Sequence, residues 1–168
     1  MKHEELQAIL SEFAADRLAL LQRHEAGARV VSHYDFNNAY QYVINREETQ
    51  LGWLQSALGE LNAALPHAAA ALPVPEAGKA SKNVEPSAYR SILEDDAAHL
   101  RGFVQKWRSR VEAVTHARHR NMLKVILGES LEHQRFFEQA AAGFEDLLGR
   151  RTAQGPRIGG VISTRWVE

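Results

Sequence analysis

Apolar residues recur at intervals of three and four along most of this chain, and each of the four series they form is broken near its middle by polar or ionisable residues. Such spacing belongs to amphipathic helices. Four long helices in 168 residues leave room for little besides a helical bundle. The predicted fold class is therefore all-α, an antiparallel four-helix bundle.

The first helix is predicted from about His3 to Ala26, with Leu6, Ile9, Phe13, Leu20 and Leu21 on its apolar side and Gly27 as the break. A second is predicted from Ser32, where Ser32 and Asp35 have the spacing of a capping box. Its stripe is Phe36, Tyr40, Ile44, Leu51, Leu54, Leu58 and Leu61, and Pro66 ends it. Residues 68–84, rich in Ala, Pro, Gly and Lys, read as a long connection. Pro86 suits the first turn of a third helix carrying Leu93, Leu100, Phe103, Trp107 and Val111. A turn is placed near Thr115. The fourth helix then runs to about Leu148 with Leu123, Ile126, Phe137 and Phe144. The organisation is a bundle over residues 1–148 and an irregular tail over 149–168, where Gly155, Pro156, Gly159 and Gly160 precede a segment ending in Trp166. One long link between two hairpins matches bundles with a single crossover.

The interruptions are the chemical signal. The first series passes through Asp16, the second through Glu47 with Glu48 beside it, the third through Asp96, and the fourth through Ser130 and His133. Mid-helix positions in antiparallel neighbours lie at similar heights, so these residues are expected to converge. Buried carboxylates need a cation, protons or a hydrogen-bond network around them. Carboxylates and imidazole are ligands suited to iron, manganese or zinc.

These residues resemble the ligand pattern of ferritin-like and rubrerythrin-like four-helix proteins, in which the second and fourth helices carry Glu-Glu-x-x-His and the first and third each supply a lone Glu. Here the second helix reads Glu47-Glu48-Thr49-Gln50-Leu51, with Leu at the His position. The fourth reads Glu129-Ser130-Leu131-Glu132-His133, with Ser at the second Glu position. Asp16 and Asp96 would take the places of the lone acids, and His99, three residues after Asp96, could supply a nitrogen. The resemblance implies one or two iron or manganese ions held by Asp16, Glu47, Glu48, Asp96, His99, Glu129 and His133. The alternative is a metal-free polar network in a non-catalytic bundle that serves as an interaction or assembly module. A homo-oligomer is expected separately, with Trp53, Trp107 and Trp166 suited equally to an interface or the core.

Other residues read as surface. His24, His33, His67, His116 and His119 fall near predicted helix ends or in connections. His116 and His119 have a spacing that suits a metal, but Arg118 and Arg120 beside them repel cations. Net charge of −1 argues against a general nucleic-acid binder. No apolar run reaches the length of a membrane span. There is no cysteine, and the first residues lack the apolar core of a signal peptide, so a cytoplasmic location is expected.

Overall fold

Spacings of four and three alternate without a break among the buried positions of each helix. In α1 (His3–Val30) the buried series is Leu6, Leu10, Phe13, Arg17, Leu20, His24 and Gly27. In α2 (Tyr34–Glu60) it is Phe36, Tyr40, Val43, Glu47, Gln50, Leu54 and Ala57. In α3 (Arg90–Glu112), preceded by a 3-10 turn over Pro86–Tyr89, it is Tyr89, Leu93, Asp96, Leu100, Phe103 and Trp107. In α4 (Ala117–Ala141) it is His119, Leu123, Ile126, Ser130, His133, Phe137 and Ala140. A mean spacing of 3.5 keeps one narrow seam of each helix facing its neighbours, as in coiled coils. The computed structural model describes residues 2–75 and 85–149. The predicted tail over 149–168 lies, apart from Gly149, outside them.

The expected all-α four-helix bundle is present, and its helices are 23 to 28 residues long. Helices α1 and α2 form one hairpin and α3 and α4 the other. Side-chain pairs set their directions. Glu12 meets Arg110 while Arg23 meets Asp96, so α1 and α3 run oppositely. Arg46 meets Glu129 and Glu60 meets Arg118, so α2 and α4 also run oppositely. The chain after α2 must therefore travel the length of the bundle before α3 begins. Its described part follows α1: His3 Nε2 lies 3.4 Å from the Leu61 carbonyl, the Ala69 N–H donates to Ala15 O at 3.1 Å, and Arg23 Nη1 donates to Pro73 O at 2.7 Å.

Local chemistry moves several predicted boundaries. Gly27 does not end α1, which continues to Val30; Asn37 Nδ2 then donates to the carbonyls of Ala28 and Val31. Ser32 does not cap α2. Its hydroxyl pairs with Tyr89 at 2.6 Å and ties the first hairpin turn to the start of α3. Helix α2 ends at Glu60 rather than at Pro66, because Asn62 adopts φ 57° and the Ala63 N–H folds back onto Leu58 O at 2.9 Å. Gly143, at φ 90°, closes α4 in the same way at Ala141, short of Leu148, and leaves Phe144 exposed. The turn predicted near Thr115 is there, between Glu112 and Ala117.

Gly27 is in the helix because nothing larger fits: a Cβ there would lie 2.9 Å from a ring carbon of Tyr40. Tyr40 is fully buried and its hydroxyl donates to Asp96, so it has little freedom to yield. Gly52, by contrast, faces open space. We predict that Gly27→Ala destabilises the fold by about 1–3 kcal/mol. Gly52→Ala should stabilise it by up to about 1 kcal/mol. Urea denaturation midpoints of the two variants, moving in opposite directions from the parent, check both.

Candidate functional site

Two arginines enter the core from α1, and the buried carboxylates gather around them. Arg17, His24, Glu47, Gln50, Asp96, Ser130 and His133 occupy inner positions of the four seams, and each is fully buried. Arg17 and His24 are seven residues apart, two turns along one face of α1. Between them sits Glu47 of α2. Its Oε1 is 3.2 Å from Arg17 Nη2, and both its oxygens are 2.9 Å from His24 Nδ1. Arg17 also reaches diagonally across the bundle, donating from Nη1 to Ser130 Oγ at 3.2 Å. Ser130 donates in turn to the Ile126 carbonyl.

A second cluster lies one turn along. Asp96 of α3 accepts from Arg23 Nε at 2.8 Å and from the Tyr40 hydroxyl. Arg23 divides its remaining donors between Asp95 at 3.0 Å and the Pro73 carbonyl of the crossover at 2.7 Å. His24 joins the two clusters, its Nε2 lying 4.0 Å from Asp96 Oδ1.

Electrostatics follow from this placement. Burial pushes the Glu47 carboxyl upward, but His24 and Arg17 beside it outweigh that and hold it below the usual carboxylate range. Burial is stronger than its opposing charges at Asp96, which is raised. Burial also pulls the Arg17 guanidinium down, against the attraction of Glu47. His133 is driven down to about 4 by burial and by the nearby Arg17 charge. Neither of its ring nitrogens has a hydrogen-bond partner, and it rests instead near the rings of Tyr42 and Phe136.

Of the seven residues singled out for a metal site, Glu47, Asp96 and His133 reach the centre. Asp16 does not: it points to the α1–α3 edge, where it accepts from Trp107 Nε1 at 2.7 Å and pairs with Lys106 at 2.6 Å. Arg17, the next residue, takes the seam position that the Ile9–Phe13–Leu20 spacing assigns to Asp16. Glu48 is exposed. His99 pairs with Asp95 at 3.2 Å on the flank of α3. Glu129 lies at the half-buried α2–α4 boundary, held by Arg46 Nη2 at 2.6 Å and by Gln50. Among the described residues, no three His, Asp or Glu side chains are placed to share one ion.

The spacing of apolar residues does not reveal Arg17, Arg23, His24 or Gln50. His24, expected near a helix end, is a core residue because α1 runs on past it. His119, expected on the surface, is only 4% exposed. The available signal was the seam itself: steps of four and three from Leu6 land on Arg17 and His24.

Two outcomes follow. Arg17→Met, which leaves Glu47 short of positive charge, should cost about 3–5 kcal/mol. Combining it with Glu47→Leu should recover more than half of that, by urea denaturation. The second concerns pH. His133 is neutral in the fold to about pH 4 but takes a proton in the unfolded chain near pH 6.5, so stability falls as pH drops through that window. Glu47, with its lowered carboxyl, adds to the loss at the acidic end; Asp96, raised, opposes it. We expect a drop of about 2–3 kcal/mol between pH 7 and pH 4. His133→Leu should flatten most of it; an equally steep profile in that variant would refute the assignment. No family model, curated protein or solved structure matches this chain.

Proposed function

We propose that this protein is a non-catalytic helical bundle, an interaction or assembly module, whose central carboxylates are neutralised by arginine. The observation that carries this reading is the Arg17–Glu47 pair, both residues fully buried at the height where the four seams converge. The guanidinium supplies the charge that a bound cation would otherwise supply. Arg23 does the same for Asp96. Arg17, His24, Glu47, Asp96 and His133 are all closed off from solvent, which suits a role in holding helix register better than one in turning over a substrate.

The contact face in this reading is the end of the bundle where α1 stops and α2 starts. Tyr34 is 75% exposed and Phe144 64%, with Val30 at 39% beside the same turn. Large exposed apolar side chains grouped at one end are suited to covering by a partner or by further copies of the chain.

A second reading keeps the ferritin-like resemblance and places iron or manganese among Glu47, Asp96 and His133. One observation favours it: His133 is buried with both ring nitrogens unpartnered. One preparation distinguishes the two. The full chain, purified without chelator, is taken to elemental analysis beside Glu47→Gln and His133→Ala, and to light scattering beside the double variant Tyr34→Ser/Phe144→Ser. The module reading expects no iron or manganese that depends on Glu47 or His133. It also expects an assembly larger than a monomer that the double variant reduces. An equivalent or more of iron or manganese, lost in both core variants, would establish the second reading instead. A monomeric parent chain would remove self-assembly through this end.

A further inference from the structure

The α3–α4 turn carries a second histidine cluster, far from the central carboxylates. His116 precedes the first residue of α4 and His119 lies in its first turn, so the two rings meet with centroids 4.3 Å apart and planes tilted by 44°. Their Nδ1 atoms face each other at 2.9 Å. His116 is exposed while His119 is only 4% exposed, its Nε2 without a hydrogen-bond partner and 3.9 Å from Glu60 Oε2.

We propose that His116 and His119 chelate a zinc-class divalent ion through their Nδ1 atoms, with solvent completing its coordination. Zinc sits 2.0–2.1 Å from imidazole nitrogen, so tetrahedral binding separates two such nitrogens by about 3.4 Å. The rings need to part by about half an ångström to reach that spacing. The exposed His116 ring makes that move by exchanging its Nδ1 hydrogen bond with His119 for the ion, while the buried His119 ring stays in place.

The surroundings suit this use. A ligating histidine characteristically turns its other ring nitrogen to a carboxylate, which fixes its tautomer and orientation. His119 turns Nε2 toward Glu60, and Glu60 is itself held by Arg118 at 2.9 Å. Of the two arginines whose charge opposes a cation, Arg118 is offset by its pairing with Glu60, and Arg120 is turned to the Val114 carbonyl at 3.2 Å. Burial, with the neighbouring His116, also lowers the His119 imidazole below its ordinary value, which favours the neutral ring that binds metal.

This site is independent of the central cluster, so its outcome does not bear on Glu47 or His133. The test is calorimetric titration of the full chain with zinc chloride at pH 7.5, alongside His116→Ala, His119→Ala, Glu60→Gln and His67→Ala. One zinc per chain is expected. Loss of an outer partner such as Glu60 typically weakens a site about 10–100-fold, so loss of either ligand should exceed about tenfold. His67→Ala, altered on the connection, should bind as the parent does. His116→Ala is the decisive variant because its side chain is exposed and the fold does not rest on it. No zinc uptake by the parent chain, or uptake that His116→Ala leaves unchanged, would overturn the proposal. So would a loss in His116→Ala that His119→Ala, still folded by circular dichroism, does not share.

Discussion

A carboxylate stays charged in the middle of an apolar bundle only if positive charge reaches it, and for Glu47 that charge comes from α1. Arg17 and His24 lie on the same face, two turns apart, and close on Glu47 from either side. Everything else in the centre is arranged around that contact. Arg17 needs a further acceptor and finds it on α4 at Ser130; His24 turns its far nitrogen toward Asp96 on α3. One ion pair between neighbouring helices is thus extended to α4 by a hydrogen bond and to α3 by an electrostatic contact of 4.0 Å, so that all four helices take part. A slip of any helix by one seam position would separate a charge from its partner. Register is therefore set by electrostatics as well as by the fit of apolar side chains.

The contrast with the edges of the bundle is instructive. At the α1–α3 boundary, Glu12, Asp16, Lys106 and Arg110 pair in partial contact with water, and Trp107 lies beneath them with Arg110 4.1 Å above its ring. Exposed pairs of this kind contribute little each, up to about 1 kcal/mol. The central pairs differ in consequence rather than in kind: breaking one leaves its partner charged and dry. That is why a substitution at the flanks should cost less than one at Arg17, Arg23, Glu47 or Asp96.

The four helices and the third turn were legible in the sequence from period and length. The long link only allowed a crossover, and the side-chain pairs that set the helix directions decide it. Helix ends were less legible. Asn62 and Gly143 stop their helices by adopting left-handed backbone, a property that composition permits but does not announce. The centre was half legible. Glu47, Asp96 and His133 stand out as polar residues within apolar series. Arg17, Arg23 and His24 do not, because arginine is ordinarily exposed and a three-or-four spacing allows two paths through Phe13. One path runs from Ile9 to Asp16 and the other from Leu10 to Arg17. Only packing against the other helices decides between them, and it decides for Arg17.

Arg23 ties the interior to the crossover. One guanidinium serves a buried carboxylate on α3, a half-exposed one beside it, and the carbonyl of Pro73 on the chain that passes over α1. A long connection would ordinarily be the first part of a fold to open and the last to close. Here, lifting the segment at Pro73 removes an acceptor from a charged group whose other donors are committed to the core. The segment around Pro73 is thereby drawn into the cooperative unit of the helices, and it opens with the bundle rather than ahead of it.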